Sequence, residues 1–268
     1  KPQSDGTVEL KPHRPETGLR HVLPVMYDAA ATCPEYDNAV AEIFSKGDDP
    51  DRMLKVWHQL VGYVIQPSRN RPTIVILEGP GGDGKTKLVL TIAQLLGPNA
   101  VYSSDVSQLE ASKFGIGGLV GKFLFIDDDV NAGAKLPDGT LKRISEGKTL
   151  TGERKHKDPF DFVCRTIPFL LCNNTPLIND LSKGFRRRLK VFTLTREFSE
   201  KEQDKMLFNR IWANELSGVL NHALQGWREF AYDALTFIFI GVLPNPPQAA
   251  PELRRARLAM QPSSRRLR

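Results

Sequence analysis

A strand, a glycine-rich loop and a helix follow one another directly in this chain, and this order strongly limits its possible folds. The stretch from Leu77 to Leu96 reads LEGPGGDGKTKLVLTIAQLL, and residues 73–77 before the loop are a β-branched apolar run. Such a run is typical of a buried parallel strand. Apolar residues then recur at helical spacing, and Gly97-Pro98 is typical of a helix end. The unit predicts an α/β fold with a mostly parallel central sheet.

The loop has the spacing Gly, four residues, Gly-Lys-Thr, which is typical of phosphate binding. Glycines let backbone N–H groups turn toward an anion, and the following helix directs its positive end at the same place. We expect ATP to bind at Gly79, Pro80, Gly81, Gly82, Asp83, Gly84, Lys85 and Thr86. Lys85 would reach the β- and γ-phosphates, and the Thr86 hydroxyl would ligate Mg²⁺. Asp83 is unusual because it places a carboxylate near phosphates, which predicts a weaker affinity for the nucleotide.

Composition places further limits on the function. The 268 residues allow one large or two small domains, and the net charge of +6 weakly favours a polyanionic partner. Cys33, Cys164 and Cys172 are too few, and wrongly spaced, for a zinc site or a disulfide scaffold. We interpret them as small buried residues in a reduced compartment.

Hydropathy predicts no membrane span, because the apolar run TFIFIGVL from Thr236 to Leu243 is far too short. The chain begins with Lys1 and shows no signal peptide, so we expect a cytoplasmic piece of a longer protein.

Patterning divides the chain into an arm and helical cap (1–70), a P-loop ATPase core (71–198) and a C-terminal helical segment with a basic tail (199–268). Predicted strands are 73–77, 100–103, 123–127, 167–172 and 189–194. Helices are predicted at 36–45, 51–65 and about 200–230, and a hairpin at 149–162.

Carboxylates follow the apolar strand Phe123–Ile126, and the carboxyl ends of parallel strands are where ligands bind in nucleotide-binding sheets. We assign Asp127 to Mg²⁺ and Asp128 to the attacking water, with Asp129 competing for the second role. An acidic turn without catalytic function is the alternative. Asn173, at the end of the next apolar strand, is a candidate for sensing the γ-phosphate.

Two basic segments have both a functional and a structural interpretation. Arg187 and Arg188 could stabilise transition-state charge on a neighbour's nucleotide, or form a solvated face. The hairpin centre contains Arg154, Lys155, His156 and Lys157. These residues could contact DNA phosphates, or be exposed only because four basic groups would lose hydration on burial.

Five segments and their order resemble superfamily 3 helicases of the phage, plasmid and poxvirus primase-helicase type. The segments are GPGGDGKT, FLFIDDD, TGERKHKDPFDF, LLCNNTP and GFRRRLKV. The resemblance covers roughly residues 9 to 260. It implies an AAA+-like motor that forms a homo-oligomeric, hexameric ring, binds single-stranded and forked DNA, and can be joined to a primase module in a longer chain. It implies a sensor role for Asn173, an arginine finger at Arg187 or Arg188, and a pore hairpin at residues 154–157.

The chain departs from the family pattern at two places. Asp83 stands where the family usually has Asn, and Glu146-Gly147-Lys148 stands where it usually has Gly-Gly-Asp, so this segment receives no role. The alternative function is a DNA-stimulated loader or remodelling ATPase that does not unwind duplex. A small-molecule kinase is disfavoured because it leaves the arginines and the basic hairpin without a purpose.

Overall fold

The structure is a computed structural model that describes residues 14, 16, 21–111, 113–180 and 182–232. Its helices are α1 Pro34–Phe44, α2 Pro50–Ile65, α3 Lys85–Leu96, α4 Gln108–Ala111, α5 Lys113–Gly117, α6 Asp138–Ser145, α7 Lys183–Arg186, α8 Leu207–Asn214 and α9 Leu216–Tyr232. Its strands are β1 Ile74–Glu78, β2 Val101–Ser103, β3 Leu124–Val130, β4 Thr149–Gly152, β5 Phe160–Val163, β6 Ile167–Cys172 and β7 Leu189–Thr193. The Arg-rich tail and the segment TFIFIGVL lie outside the described residues.

The central sheet has the strand order β2-β3-β6-β1-β7, and every neighbouring pair in it is parallel. Its strands occupy the predicted segments, and β4 and β5 form the predicted antiparallel hairpin. Parallel strands are buried on both faces, which explains why they appear in the sequence as continuous apolar runs.

Helices cover both faces of the sheet, so the fold has three layers. Along β1, Val75 and Leu77 contribute to one apolar core, and Ile74 and Ile76 contribute to the other. This alternation follows from the period of two in a strand. The first core contains α1, α2, α3, α8 and α9, and the second contains α4, α5, α6, α7 and the hairpin base.

The helical cap and the C-terminal helices share the first core. In α2 and α9 the backbones approach so closely that a Cβ atom on Gly62 would lie 2.2 Å from the Ala223 carbonyl oxygen. A Cβ atom on Gly226 would lie 2.3 Å from the His58 carbonyl oxygen. The cap helix α2 and the C-terminal helix α9 are therefore packed together through glycine contacts, and the predicted domain boundaries stay predictions.

The prediction of one helix from about residue 200 to 230 is wrong at its start, because α8 begins only at Leu207. The helix is also interrupted at Glu215, between α8 and α9. Glu202 instead pairs with Arg196 and accepts a hydrogen bond from the Ser199 N–H at 2.8 Å, which holds a turn ahead of α8. At the break, the Glu215 carboxylate accepts hydrogen bonds from the N–H groups of Glu35 and Tyr36 at 3.1 and 2.9 Å. Because these contacts join distant parts of the chain, helical periodicity does not reveal them.

Among the described residues, the structure contains no helix with the length and apolar character needed to cross a membrane.

The close α2–α9 contact leads to a stability prediction. Gly62→Ala places a methyl group against backbone that cannot move independently, so we expect the free energy of unfolding to fall by about 1–3 kcal/mol. Gly139→Ala is the matched control, because no atom lies within 4 Å of its added Cβ. We expect this control to change the free energy by less than about 1 kcal/mol. Chemical denaturation measures both, and equal stabilities would contradict the packing.

Candidate nucleotide site

The glycine-rich loop between β1 and α3 has the backbone that its sequence predicts. Gly81, Gly82 and Gly84 have φ values of 103°, 62° and 85°, in the left-handed region that favours glycine. A Cβ atom on Gly79 would lie 2.0 Å from an Asp83 oxygen, so this position also requires glycine. The loop thus passes from β1 into the N-terminus of α3 in the geometry of an anion-binding nest.

Lys85 connects the loop to the neighbouring strand. Its Nζ atom donates to the Gly79 carbonyl at 3.2 Å, to Asp83 Oδ2 at 3.1 Å and to Asn173 Oδ1 at 3.0 Å. Asn173 directly follows β6, which pairs with β1 in the sheet. The structure therefore brings Lys85 into contact with three other predicted site residues at the carboxyl edge of the sheet.

Asp83 supplies the counter-charge for Lys85. The exposed fractions of the two side chains are 2% for Asp83 and 8% for Lys85. Asp83 Oδ1 also accepts the Lys85 backbone N–H at 3.1 Å, so the carboxylate holds both the lysine and the loop. A nucleotide phosphate that binds Lys85 has to compete with this buried carboxylate, which gives the predicted loss of affinity a structural basis.

The three carboxylates in the last part of β3 have different environments. Asp127 is buried and accepts the N–H groups of Val106 at 2.7 Å and Asp129 at 3.3 Å, and burial raises the pKa of its carboxyl. Asp128 and Asp129 are exposed, at a shift in the β3–β6 register between Asp127 and Val130. Such irregularities often redirect side chains beside active sites. Their catalytic roles stay predictions.

Cys172, the last residue of β6, lies among several of these charges. Burial, together with the carboxylates of Glu78 and Asp127, raises the pKa of its thiol to about 12, and the Lys85 ammonium opposes this shift. Glu78, at the end of β1, was not singled out from the sequence. It places another carboxylate at the same edge of the sheet.

The two predicted arginines differ in position. Arg188 is 5% exposed and donates to the Glu146 carboxylate and to the Gly184 carbonyl oxygen, so it is held within its own subunit. Arg187 is exposed just after α7. Glu146, which received no role from the sequence, thus anchors Arg188. Its partner lies 42 residues away, and no local pattern could have shown the pairing.

The basic hairpin is exposed at its tip and tightly anchored at its base. The four predicted DNA-contacting residues, Arg154 to Lys157, are all exposed, and His156 has a φ of 60°. At the base, a Cβ atom on Gly117 of α5 would lie 2.3 Å from the Glu153 carbonyl oxygen. A Cβ atom on Gly152 would lie 2.8 Å from the Gly117 Cα atom. The hairpin is thus fixed to α5 through its backbone, and a role in DNA contact stays a prediction.

The strand order, the parallel sheet and the loop at its carboxyl edge define a P-loop α/β fold with a helical N-terminal cap and a C-terminal helical segment. Two apo structures of the NrS-1 C-terminal region are similar to the chain. The A form has a TM-score of 0.59 at 17% identity, over 76% of this chain and 50% of that one. The structure of its residues 305–718 has a TM-score of 0.59 at 18% identity, over 77% and 50%. At such identities the similarity concerns the fold alone.

Sequence comparison gives two further matches. Residues 77–188 match the model of a family of unknown function, DUF5906, and this segment contains the loop, the β3 carboxylates, the hairpin, Asn173 and both arginines. The chain is 26% identical over 206 residues to protein L207/L206 of Acanthamoeba polyphaga mimivirus, which its name assigns provisionally to the helicases. The match covers 69% of this chain and 20% of that protein, so the chain spans a small part of the relative's length.

The Asp83–Lys85 pair leads to a prediction about nucleotide affinity. Asp83→Asn removes the charge that competes with phosphate but keeps a side chain that can accept the loop hydrogen bonds. We expect the dissociation constant for a fluorescent ATP analogue with Mg²⁺ to fall by about tenfold, which corresponds to ~1.4 kcal/mol. Asp158→Asn removes the same charge from an exposed position in the hairpin, and we expect it to leave the affinity unchanged. Unchanged or weaker binding by Asp83→Asn would show that the carboxylate does not oppose the nucleotide.

Proposed function

We propose that the chain is the ATP-hydrolysing motor of a helicase-type protein, which forms a ring and moves along single-stranded DNA. The contact of Lys85 with Asn173 carries the proposal, since it joins the phosphate-binding loop to a polar strand end. The helicase name of the mimivirus relative supports the same function. A replication role, a primase module elsewhere in a longer chain and a cytoplasmic location in a host cell belong to this proposal as expectations.

The nucleotide site has the residues that phosphoryl transfer to water requires. Lys85 would neutralise the β- and γ-phosphates, and Asn173 would contact the γ-phosphate or the attacking water. Asp128 would orient and deprotonate that water, and Asp129 is the competing candidate. Both are exposed at the strand end, where water can reach them.

A magnesium ion fits the residues at this edge of the sheet. Asp127 is a buried carboxyl whose pKa is raised by burial, and it has no cationic partner among the ion pairs of the described residues. A nearby cation would stabilise its charged form. Thr86 and Asp127 would hold Mg²⁺, which would supply charge neutralisation on the phosphates.

The arginines suggest how subunits cooperate. Because Arg188 is buried against Glu146, it acts within its own subunit by fixing the end of α7. Arg187 is exposed, and it is the one that would reach the nucleotide of a neighbouring subunit as an arginine finger. A site completed by a neighbour requires a homo-oligomer, and a closed ring gives every subunit such a neighbour.

The hairpin is the part of the chain best suited to contact DNA. Its exposed basic tip can bind phosphates without reading bases, which a translocating motor requires. The rigid contact of its base with α5 would let the tip move as a unit when the core changes conformation. The alternative function, a loader or remodelling ATPase, would use the same tip without separating duplex DNA.

Subunit mixing tests the arginine assignment. Arg187→Ala and Lys85→Ala each remove a different half of a shared site, so both should be inactive alone. Mixed rings contain some interfaces with two intact halves, and we expect partial recovery of ATP hydrolysis. Mixing Lys85→Ala with Asn173→Ala is the matched control, because both changes affect the same half and should give no recovery. Lack of recovery in rings proven to be mixed would place Arg187 in its own subunit.

Salt dependence tests the hairpin assignment. Replacing Lys155 and Lys157 by Ala should reduce the slope of log affinity against log salt concentration by about 1.4 on single-stranded DNA, or ~0.7 for each phosphate contact. Affinity should fall equally for all sequences, while ATP hydrolysis without DNA persists. The control removes two exposed lysines elsewhere, Lys46 and Lys201, and should leave the slope unchanged. If the hairpin variant also keeps the slope, the tip is only a solvated turn.

A further inference from the structure

Three side chains with metal-ligating atoms meet where α1 begins against α9, away from the nucleotide loop in the sequence. Cys33 Sγ lies 3.5 Å from Asp37 Oδ1, and His222 Nε2 lies 2.8 Å from the same oxygen. The three ligand atoms all lie within 4.8 Å of one another. The cysteine spacing did not predict this cluster, because two of its members are not cysteines and His222 is distant in sequence.

Backbone contacts hold the start of α1 against the first turns of α9, where the cluster lies. Glu215 accepts the N–H groups of Glu35 and Tyr36, which fixes the start of α1 on the helix. Three residues later, a Cβ atom on Gly218 would lie 2.4 Å from the backbone that precedes α1. His222 follows one turn after Gly218, on the same face. These backbone contacts thus fix the start of α1 and the helix turn that contains His222 relative to each other.

The His222 ring is held by a neighbouring ring. His58 stacks on it with the centroids 4.6 Å apart and the planes at 8°. A cation there would meet an orientated imidazole and the Asp37 carboxylate.

We propose that Cys33, Asp37 and His222 form a zinc site that links α1 to α9. Thiolate, carboxylate and imidazole are the donors that Zn²⁺ takes in proteins, and its bond lengths of about 2.0–2.3 Å place tetrahedral ligand atoms roughly 3.3–3.6 Å apart. The two separations that include Asp37, 3.5 and 2.8 Å, lie near this range, and the remaining pair of ligand atoms lies within 4.8 Å. Cys33 is buried, while the side chains of Asp37 and His222 are 46% and 33% exposed, so the ion has access from solvent and a water can complete the coordination.

Binding would exchange protons for the metal. Zn²⁺ takes cysteine as the thiolate, and in the structure the Cys33 S–H donates to Asp37 Oδ1. When the Zn–S bond forms, the S–H bond breaks and its proton goes to solvent. His222 would bind through Nε2 as the neutral ring with its proton on Nδ1. No electron transfer is involved, and metal binding to such ligands generally releases protons.

Zinc titration of the full chain, after removal of metals with a chelator, tests the site. We expect about one equivalent of Zn²⁺ to bind with proton release, and the affinity to fall at least about tenfold in Cys33→Ala and His222→Gln. Cys164→Ala removes another buried cysteine outside the cluster and should bind Zn²⁺ like the unmodified chain. Zn²⁺ should also raise the melting temperature of the unmodified chain but not that of Cys33→Ala.

Cobalt substitution tests the site without relying on a variant that can fail to fold. Co²⁺ bound to a thiolate gives a near-ultraviolet charge-transfer band, which we expect in the unmodified chain and in Cys164→Ala. Asp37→Asn changes a half-exposed side chain and should weaken the band at limiting Co²⁺. An absent band, or zinc affinity equal in the Cys33 and Cys164 variants, would overturn the proposal and leave the cluster as hydrogen bonds between two helices.

Discussion

The candidate nucleotide site depends on the buried ammonium group of Lys85. This group joins the Gly79 carbonyl, the Asp83 carboxylate and the Asn173 side chain, and so connects β1, the loop and β6. Removing one partner of a buried ion pair leaves the other charge uncompensated, at a cost of about 3–5 kcal/mol. Phosphate can take the place of Asp83 as the counter-charge, and that exchange would change the contacts of both the loop and Asn173.

A short segment of the chain connects Asn173, which would sense this exchange of counter-charge, to the hairpin. β5 leads into β6 through three residues, so the hairpin arm and Asn173 are two ends of one short segment. Cys164 donates its N–H to the Lys148 carbonyl, and Thr166 Oγ1 donates to the Lys122 carbonyl at 2.9 Å, which fixes this junction. A shift of β6 relative to β1 would therefore be passed to the hairpin base. The opposite layer, where α2 and α9 meet through glycines, provides a rigid support for the sheet.

The sequence predicted those parts of the fold whose signals are local. The five sheet strands have continuous apolar runs because both faces are buried, and the loop requires glycine at positions with left-handed backbone. The start of α8 depends on the Glu202–Arg196 pair, and the break before α9 depends on the contact of Glu215 with the start of α1. The second contact joins residues that are distant in the sequence. For the same reason, the burial of Arg188 against Glu146 and the meeting of Cys33 with His222 could not be foreseen. The catalytic and DNA-contacting roles stay predictions.

Strand displacement on a forked duplex tests the central claim most directly. The assay compares the chain with ATP, with a non-hydrolysable ATP analogue and with no nucleotide, under conditions where single-stranded DNA is bound. If the chain is a motor, strand is displaced with ATP but not with the analogue or without nucleotide. The amount of displaced strand then rises with the amount of ATP hydrolysed. DNA-stimulated hydrolysis without any displaced strand, from rings shown to be intact, would contradict the motor and favour a loader or remodelling ATPase.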